Sequence, residues 1–214
     1  MNRSSTSRRR RGRERGSALI EFLLATALII LPLLIGTFVI GMSLVRANQV
    51  AEVSRDAAHM YAYGVDFSQT SSQNLLLELA QGLNMTLTGG NGVVILSTVT
   101  YVGDNDCLAA GIQPGDCPND NSTVFTRQIV VGNSALQGSA FGTPSAAIIG
   151  SGGNITTMNY LTNASARANN FASVITLSSG QYAYVAETFV ISPDFNIFGG
   201  GLISPGGISA RSIF

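Results

Sequence analysis

Residues 16–45 read GSALIEFLLATALIILPLLIGTFVIGMSLV, and from Phe22 onward these 24 positions carry no charge. A helix over residues 22–45 rises about 36 Å at ~1.5 Å per residue, enough to cross the ~30 Å apolar core of a bilayer. A secretory signal peptide is the competing reading. Its apolar core is shorter, about 7–15 residues, and it needs a small-residue cleavage site, which does not follow Val45. Pro32 inside the span is tolerated with a kink, because neighbouring groups re-satisfy the freed carbonyl. The stretch therefore predicts a transmembrane helix over residues 17–45.

The charge distribution orients that helix. The chain has no lysine, and seven of its 12 arginines (Arg3, Arg8, Arg9, Arg10, Arg11, Arg13 and Arg15) precede Gly16. Beyond Gly16, five arginines face eleven acidic residues, which leaves a formal charge of −6. A basic tail can bind nucleic acid, or it can hold one end of a membrane helix in the cytoplasm. With an apolar span directly after it, topology is the expected role, and no nucleic acid partner is expected. Residues 1–15 read as an unstructured polar tail. The body then lies on the far side of the membrane. There Cys107 and Cys117 are expected to form a disulfide, two free thiols being the alternative.

After the span, residues 46–63 (RANQVAEVSRDAAHMYAY) lack Pro and Gly, and Val50, Val53, Ala57 and Met60 recur at helical spacing. Glu52 and Asp56 lie opposite, and Gly64 is a stop signal. One long helix is predicted. A short amphipathic helix with Leu75, Leu76, Leu79 and Leu83 on one face follows, with the polar residues 71–74 as its cap. Residues 93–102 (VVILSTVTYV) read as a buried strand, and 124–131 (VFTRQIVV) as a second strand with partial alternation. Residues 132–170, rich in Gly, Ser, Ala and Asn, read as loop. Residues 174–177 and 182–191 read as a hairpin around 178–181, residues 193–207 as a turn-rich tail, and 208–214 show no clear pattern. The predicted fold class is α+β, a long N-terminal transmembrane helix extending into a small antiparallel β-sheet domain with Gly/Ser/Asn-rich loops. The sheet is expected to cover the apolar face of the exported half-helix. The predicted organisation is 1–16 as a basic leader, 17–45 as transmembrane helix, 46–64 as its exported continuation and 65–214 as the extracytoplasmic domain.

Glu21 sits at the edge of the span, where a carboxylate is unfavourable by a few kcal/mol at depth. A helix N-terminus welcomes it, and that is its plain reading. A cut after Gly16 gives it a sharper one: the new α-amine on Ser17 would lie one turn away, and Glu21 could pair with that amine of its own chain or of a neighbour in an assembly. GSALIEF resembles the processing site of type IV prepilins and pseudopilins, in which a membrane peptidase cuts after Gly and a Glu is the fifth residue beyond it. The Glu-Phe pair and the lone sheet domain are similar to the TadE-type pseudopilins of the Tad (Flp) pilus system. EVSRDAAHMYAYG (52–64) resembles the segment after their helix, and YVAETFVISPDF (184–195) and SARSIF (209–214) resemble their closing strand and tail. Residues 12–64 carry most of the likeness; residues 104–170 match nothing in that family.

The resemblance implies a pilin-like fold and a non-enzymatic role in pilus or secretion assembly at the cytoplasmic membrane. Gly16 carries over as the cleavage-site glycine, Ser17 as the new N-terminus, Glu21 as the docking carboxylate and Phe22 as the aromatic beside it. The implied partners are membrane lipid, other pilins or pseudopilins, the assembly platform and a prepilin peptidase; no cofactor is implied. The alternative is a single-pass anchored binding domain of the cell envelope, unrelated to pili. An envelope enzyme is disfavoured, since His59 is the only histidine and no Ser/His/acid triad forms without it. Asp104, Asp106, Asp116 and Asp120 crowd the cysteine loop, but their spacing fits no EF-hand, and a solvated acidic loop is the plainer reading. GSGGN at 150–154 has no flanking strand and helix to make a phosphate site.

Overall fold

The computed structural model describes residues 8–191 and 207–214, with the backbone alone at 8–16 and 114. The chain divides into two compact units, Met1–Val45 and Arg46–Phe214. One helix of 55 residues, α1 (Arg8–Ala62), contributes to both. It begins within the basic stretch that the sequence reads as unstructured. Arginine is a good helix former, and the apolar segment supplies the nucleus from which the helix propagates. Residues 1–7 of that tail lie outside the described residues.

In the second unit α1 is followed by α2 (Thr70–Leu79), β1 (Gly92–Val102), α3 (Asp104–Ala109), β2 (Ser122–Gly132), α4 (Thr157–Thr162), β3 (Tyr182–Ile191) and β4 (Gly207–Ile213). The four strands form one sheet in the order β2-β1-β3-β4, every pair antiparallel. The fold is thus α+β, a long N-terminal apolar helix followed by a small antiparallel sheet. β1 is central, which is why nearly all its residues are buried and it reads as one continuous apolar and β-branched run.

Each sheet face has its own cover. On one face Val94, Leu96, Ile129, Val131, Ala186 and Val190 pack against Val50, Val53, Ala57, Ala58 and Tyr61 of α1. Each fully buried valine or leucine there contributes about 1.5–3 kcal/mol. The Ser54 hydroxyl donates to the Ala186 carbonyl at 3.0 Å, fixing the helix on β3. Gly64 ends the helical run as expected: its φ is +88°, and the Val65 N–H bonds back to the Met60 carbonyl at 3.0 Å. Further along the same face, Val102 and Val124 lie under the disulfide loop with Cys107, Cys117 and Leu161.

The opposite face carries Val99, Phe125, Ala183 and Val185, covered by Phe141, Ile148, Ile155 and Phe171. Three of these four, Phe141, Ile148 and Ile155, belong to 132–170, so the stretch read as loop supplies much of the second core. Isolated bridges Val124↔Arg167 and Arg127↔Asn154 dock it along the outer edge of β2. Gly153 marks the closest approach: at φ +79° a Cβ there would meet the Gln128 carbonyl oxygen at 2.2 Å.

Four expectations are corrected. Residues 174–177 form no strand; the Val174 and Ile175 N–H groups instead bond the carbonyl of buried Phe171, and β3 pairs with distant β1 and β4. Residues 207–213, without a clear pattern in sequence, form β4. Buried Glu187 on β3 holds that strand through Arg211 at 3.0 Å, whose guanidinium lies 4.3 Å over the Phe141 ring. In α2, Leu76 is buried and Leu83 beyond it also, while Leu75 and Leu79 face outward. The N-cap of α2 is Gln69, without a side-chain bond, rather than the polar run 71–74. Of the stretch 193–207 read as a turn-rich tail, residues 193–206 lie outside the described residues and Gly207 opens β4.

Candidate functional site

The first unit presents its apolar side chains outward. Leu19, Phe22, Leu23 and Leu28 are 69%, 71%, 73% and 74% exposed. Ser17–Ala62 is the one helix among the described residues long and apolar enough to cross a membrane, and none of its most apolar window is buried in the protein. A contiguous apolar surface of that extent on a water-exposed monomer would exceed the usual few hundred Å². Pro32 cannot donate in the helix ladder, and five residues on the Thr37 hydroxyl donates to the Leu33 and Leu34 carbonyls at 2.7 and 3.0 Å.

Gly16, Ser17, Glu21 and Phe22 all lie in α1. Ser17 and Glu21 are four residues apart, so both fall on one face of the helix, one turn from each other. Both are exposed, and among the described residues Glu21 makes no hydrogen bond or ion pair. The geometry leaves the carboxylate available to a group outside the described chain.

Cys107 and Cys117 are joined, closing a loop with a sequence separation of 10. Both are buried, and the bond clamps α3 over Val102 and Val124. Loop closures of this size stabilise by roughly 2–4 kcal/mol. Asp106 accepts from the Gly103 N–H at 2.8 Å and from the Ser179 hydroxyl at 2.9 Å, a structural role at the start of α3. Some loss of solvent contact, and then the Asp104 carboxylate beside it, raise Asp120 above its ordinary value. Among the described residues no group of three His, Cys, Asp or Glu side chains converges as metal ligands. His59 lies on α1 against Tyr63 and Phe214, with ring centroids at 4.5 and 5.7 Å.

One polar constellation was not anticipated from sequence. Asp66 follows the end of α1, and its Oδ1 accepts from Arg127 Nη2 at 2.5 Å. Arg127 Nε donates to the Gly152 carbonyl at 2.9 Å. Beside this pair the Tyr61 hydroxyl meets the Thr98 hydroxyl at 2.8 Å, and burial raises that phenol above its ordinary value. Tyr184 packs edge-on to Tyr61, centroids 5.5 Å apart. The available signal was a lone arginine inside a strand of apolar and β-branched residues, together with the broken alternation of 124–131.

The Arg127 hydrogen bond, followed by the Ser68 N–H and hydroxyl, holds the Asp66 carboxyl down at about 2, against an ordinary 3.8. A depressed folded-state pKa means the contribution is present above the unfolded pKa and fades as pH falls through the folded one. It should fade between pH about 4 and about 2. Carboxyl-carbon NMR of Asp66 is expected to titrate near 2, and Arg127→Gln should return the midpoint toward 3.8. An unchanged midpoint in that variant would refute the assignment.

Fold and site together define a class: a disulfide-clamped α+β domain on an N-terminal helix that is, among the described residues, the one long and apolar enough to cross a membrane. No protein-family model, curated protein or solved structure matches the chain.

Proposed function

We propose that this protein is a non-enzymatic component of pilus or secretion assembly, of the TadE-like pseudopilin type. Its N-terminus is cytoplasmic, its helix is anchored in the cytoplasmic membrane, and its sheet domain lies outside. The observation that carries the reading is α1 itself. A helix exposed and apolar in its first part supplies, without interruption, the buried stripe of a small antiparallel sheet domain in its last part. A removable signal peptide has no use for such continuity. Seven arginines before Gly16 and a disulfide in the body agree with the stated orientation.

In this reading prepilin peptidase cuts after Gly16, which removes the arginine tail and leaves an α-amine on Ser17. Glu21 then pairs with that amine on a neighbouring pilin or pseudopilin at the assembly platform, with Phe22 packing beside it. Lipid surrounds the remaining apolar face. The protein uses no cofactor, and no nucleic acid takes part. Intact-mass and N-terminal sequencing of chain extracted from native membranes tests the cut. The expected N-terminus is Ser17, shifting to the uncut chain in cells lacking the peptidase. A chain that keeps the arginine tail while pili assemble normally would refute processing.

A further inference from the structure

The face of the sheet that α1 covers changes character where the helix ends. Under the helix it presents Val94 and Leu96, Ile129 and Val131, Ala186 and Val190. Beyond Gly64 the same strands present Thr98, Arg127, Tyr184 and Tyr182. Further on, the disulfide cap covers Val102 and Val124, and the surface is apolar again. Between the two covers lies an open cleft of about 400 Å³, floored by the sheet and walled by the end of α1 and by Asn154. That volume falls in the range of small-ligand sites, roughly 300–1,000 Å³.

The chemistry of the cleft narrows its occupant. Tyr182 is 53% exposed, and among the described residues neither its hydroxyl nor that of Tyr184 has a partner. Asn154 donates one side-chain N–H to the Ser151 carbonyl at 3.2 Å, and among the described residues its side-chain oxygen has no partner. Among the described residues Arg127 Nη1 has no partner, while Nη2 and Nε are engaged. Donors and acceptors of both kinds therefore converge beside aromatic faces. The guanidinium is already neutralised by Asp66, so the floor carries no net charge to hold an anion. A wholly apolar ligand would strand the hydroxyls of Tyr182 and Tyr184. A pyranose ring meets both demands, with C–H faces for the tyrosines and hydroxyls for Arg127, Asn154 and the phenols.

We propose that this cleft is a binding site for a neutral saccharide, with Tyr182 as the stacking platform and Asn154 and Arg127 reading the ring hydroxyls. The site is independent of whether the chain assembles with pilins. The chain has no tryptophan and six tyrosines, three of which line the cleft, so tyrosine emission reports on it directly. The full chain in lipid nanodiscs, free of glycoside detergent, is titrated with maltotriose and with triacetylchitotriose at up to millimolar concentration. A saturable change with at least one trisaccharide is expected, weakened at least tenfold by Tyr182→Ala and by Asn154→Ala. Both positions are exposed, so the variants fold, and Tyr63→Ala, outside the cleft, leaves binding unchanged. Silence with both sugars overturns the proposal. So does binding that survives Tyr182→Ala and Asn154→Ala, or displacement of the sugar by inorganic phosphate.

Discussion

Replacing Phe125, fully buried on β2, with alanine is expected to remove most of the stability of the sheet unit. In β2, Arg127 is opposite Thr98 while Phe125 is opposite the next residue, Val99, so Thr126 is the extra residue of a β-bulge. Side chains alternate with a period of two, and an inserted residue reverses the sense beyond it. The bulge lets Ile129 and Val131 face α1 while Phe125 enters the opposite core. In a regular strand of the same length, with Thr126 paired, all three would fall on one face. Either Phe125 would leave its core, or Ile129 and Val131 would leave theirs and Arg127 would enter an apolar one. Loss of a buried phenylalanine side chain alone costs about 3–5 kcal/mol, and a typical domain has only about 5–15 kcal/mol in total. By contrast Thr126→Val keeps the bulge and loses one hydroxyl bond to the Thr98 carbonyl, at a cost of about 1 kcal/mol. Urea unfolding of the full chain, followed by circular dichroism, separates the two variants. A Phe125→Ala variant that unfolds within ~1 kcal/mol of the native chain would refute the place that the bulge gives Phe125 in the second core.

That bulge also explains what the sequence could and could not disclose. The partial alternation of 124–131 was visible, but its meaning depends on a register set by β1. The long helix, the stop at Gly64 and the buried strand β1 are local: periodicity, a positive-φ glycine and a β-branched run each act within a few residues. The pairing of β3 with β1 joins segments some 90 residues apart, and adjacency in sequence favoured a hairpin that does not form. The stretch 132–170 has little periodicity because isolated bridges and a few separated anchors hold it, above all Phe141, which packs edge-on to Phe171 just beyond. β4 lies at the sheet edge, where Ser209 and Arg211 alternate with Ile208 and Ala210, too weak a contrast to read. Gly16, Ser17, Glu21, Phe22 and the two cysteines stand out as residues in the sequence. The cleft does not, because its parts come from the end of α1, three strands and the loop at Asn154.

Replacing Glu21 with leucine is expected to leave membrane insertion intact and to reduce pilus assembly by two to three decades. The two effects have opposite signs for one reason. A carboxylate at the rim of an apolar helix resists insertion by an amount that grows with depth, to a few kcal/mol at the centre, so leucine makes insertion no worse. In the assembled state proposed above, the carboxylate neutralises a Ser17 amine on a neighbouring subunit inside the apolar layer. Removing one partner leaves a buried amine without its counter-charge, at about 3–5 kcal/mol. At ~1.4 kcal/mol per decade that is roughly a hundred- to a thousandfold or more. Glu21→Gln retains a polar side chain and nearly the same shape but no charge, so an ion-pair role predicts the same loss as leucine. A helix-capping role predicts near-normal assembly for Gln. Membrane fractionation reads insertion, and counting pili by electron microscopy reads assembly. Normal pili with Glu21→Leu would remove the docking role and favour the alternative, a single-pass anchored binding domain. In that case the neutral cleft at Tyr182 and Asn154 would be the surface through which the protein acts.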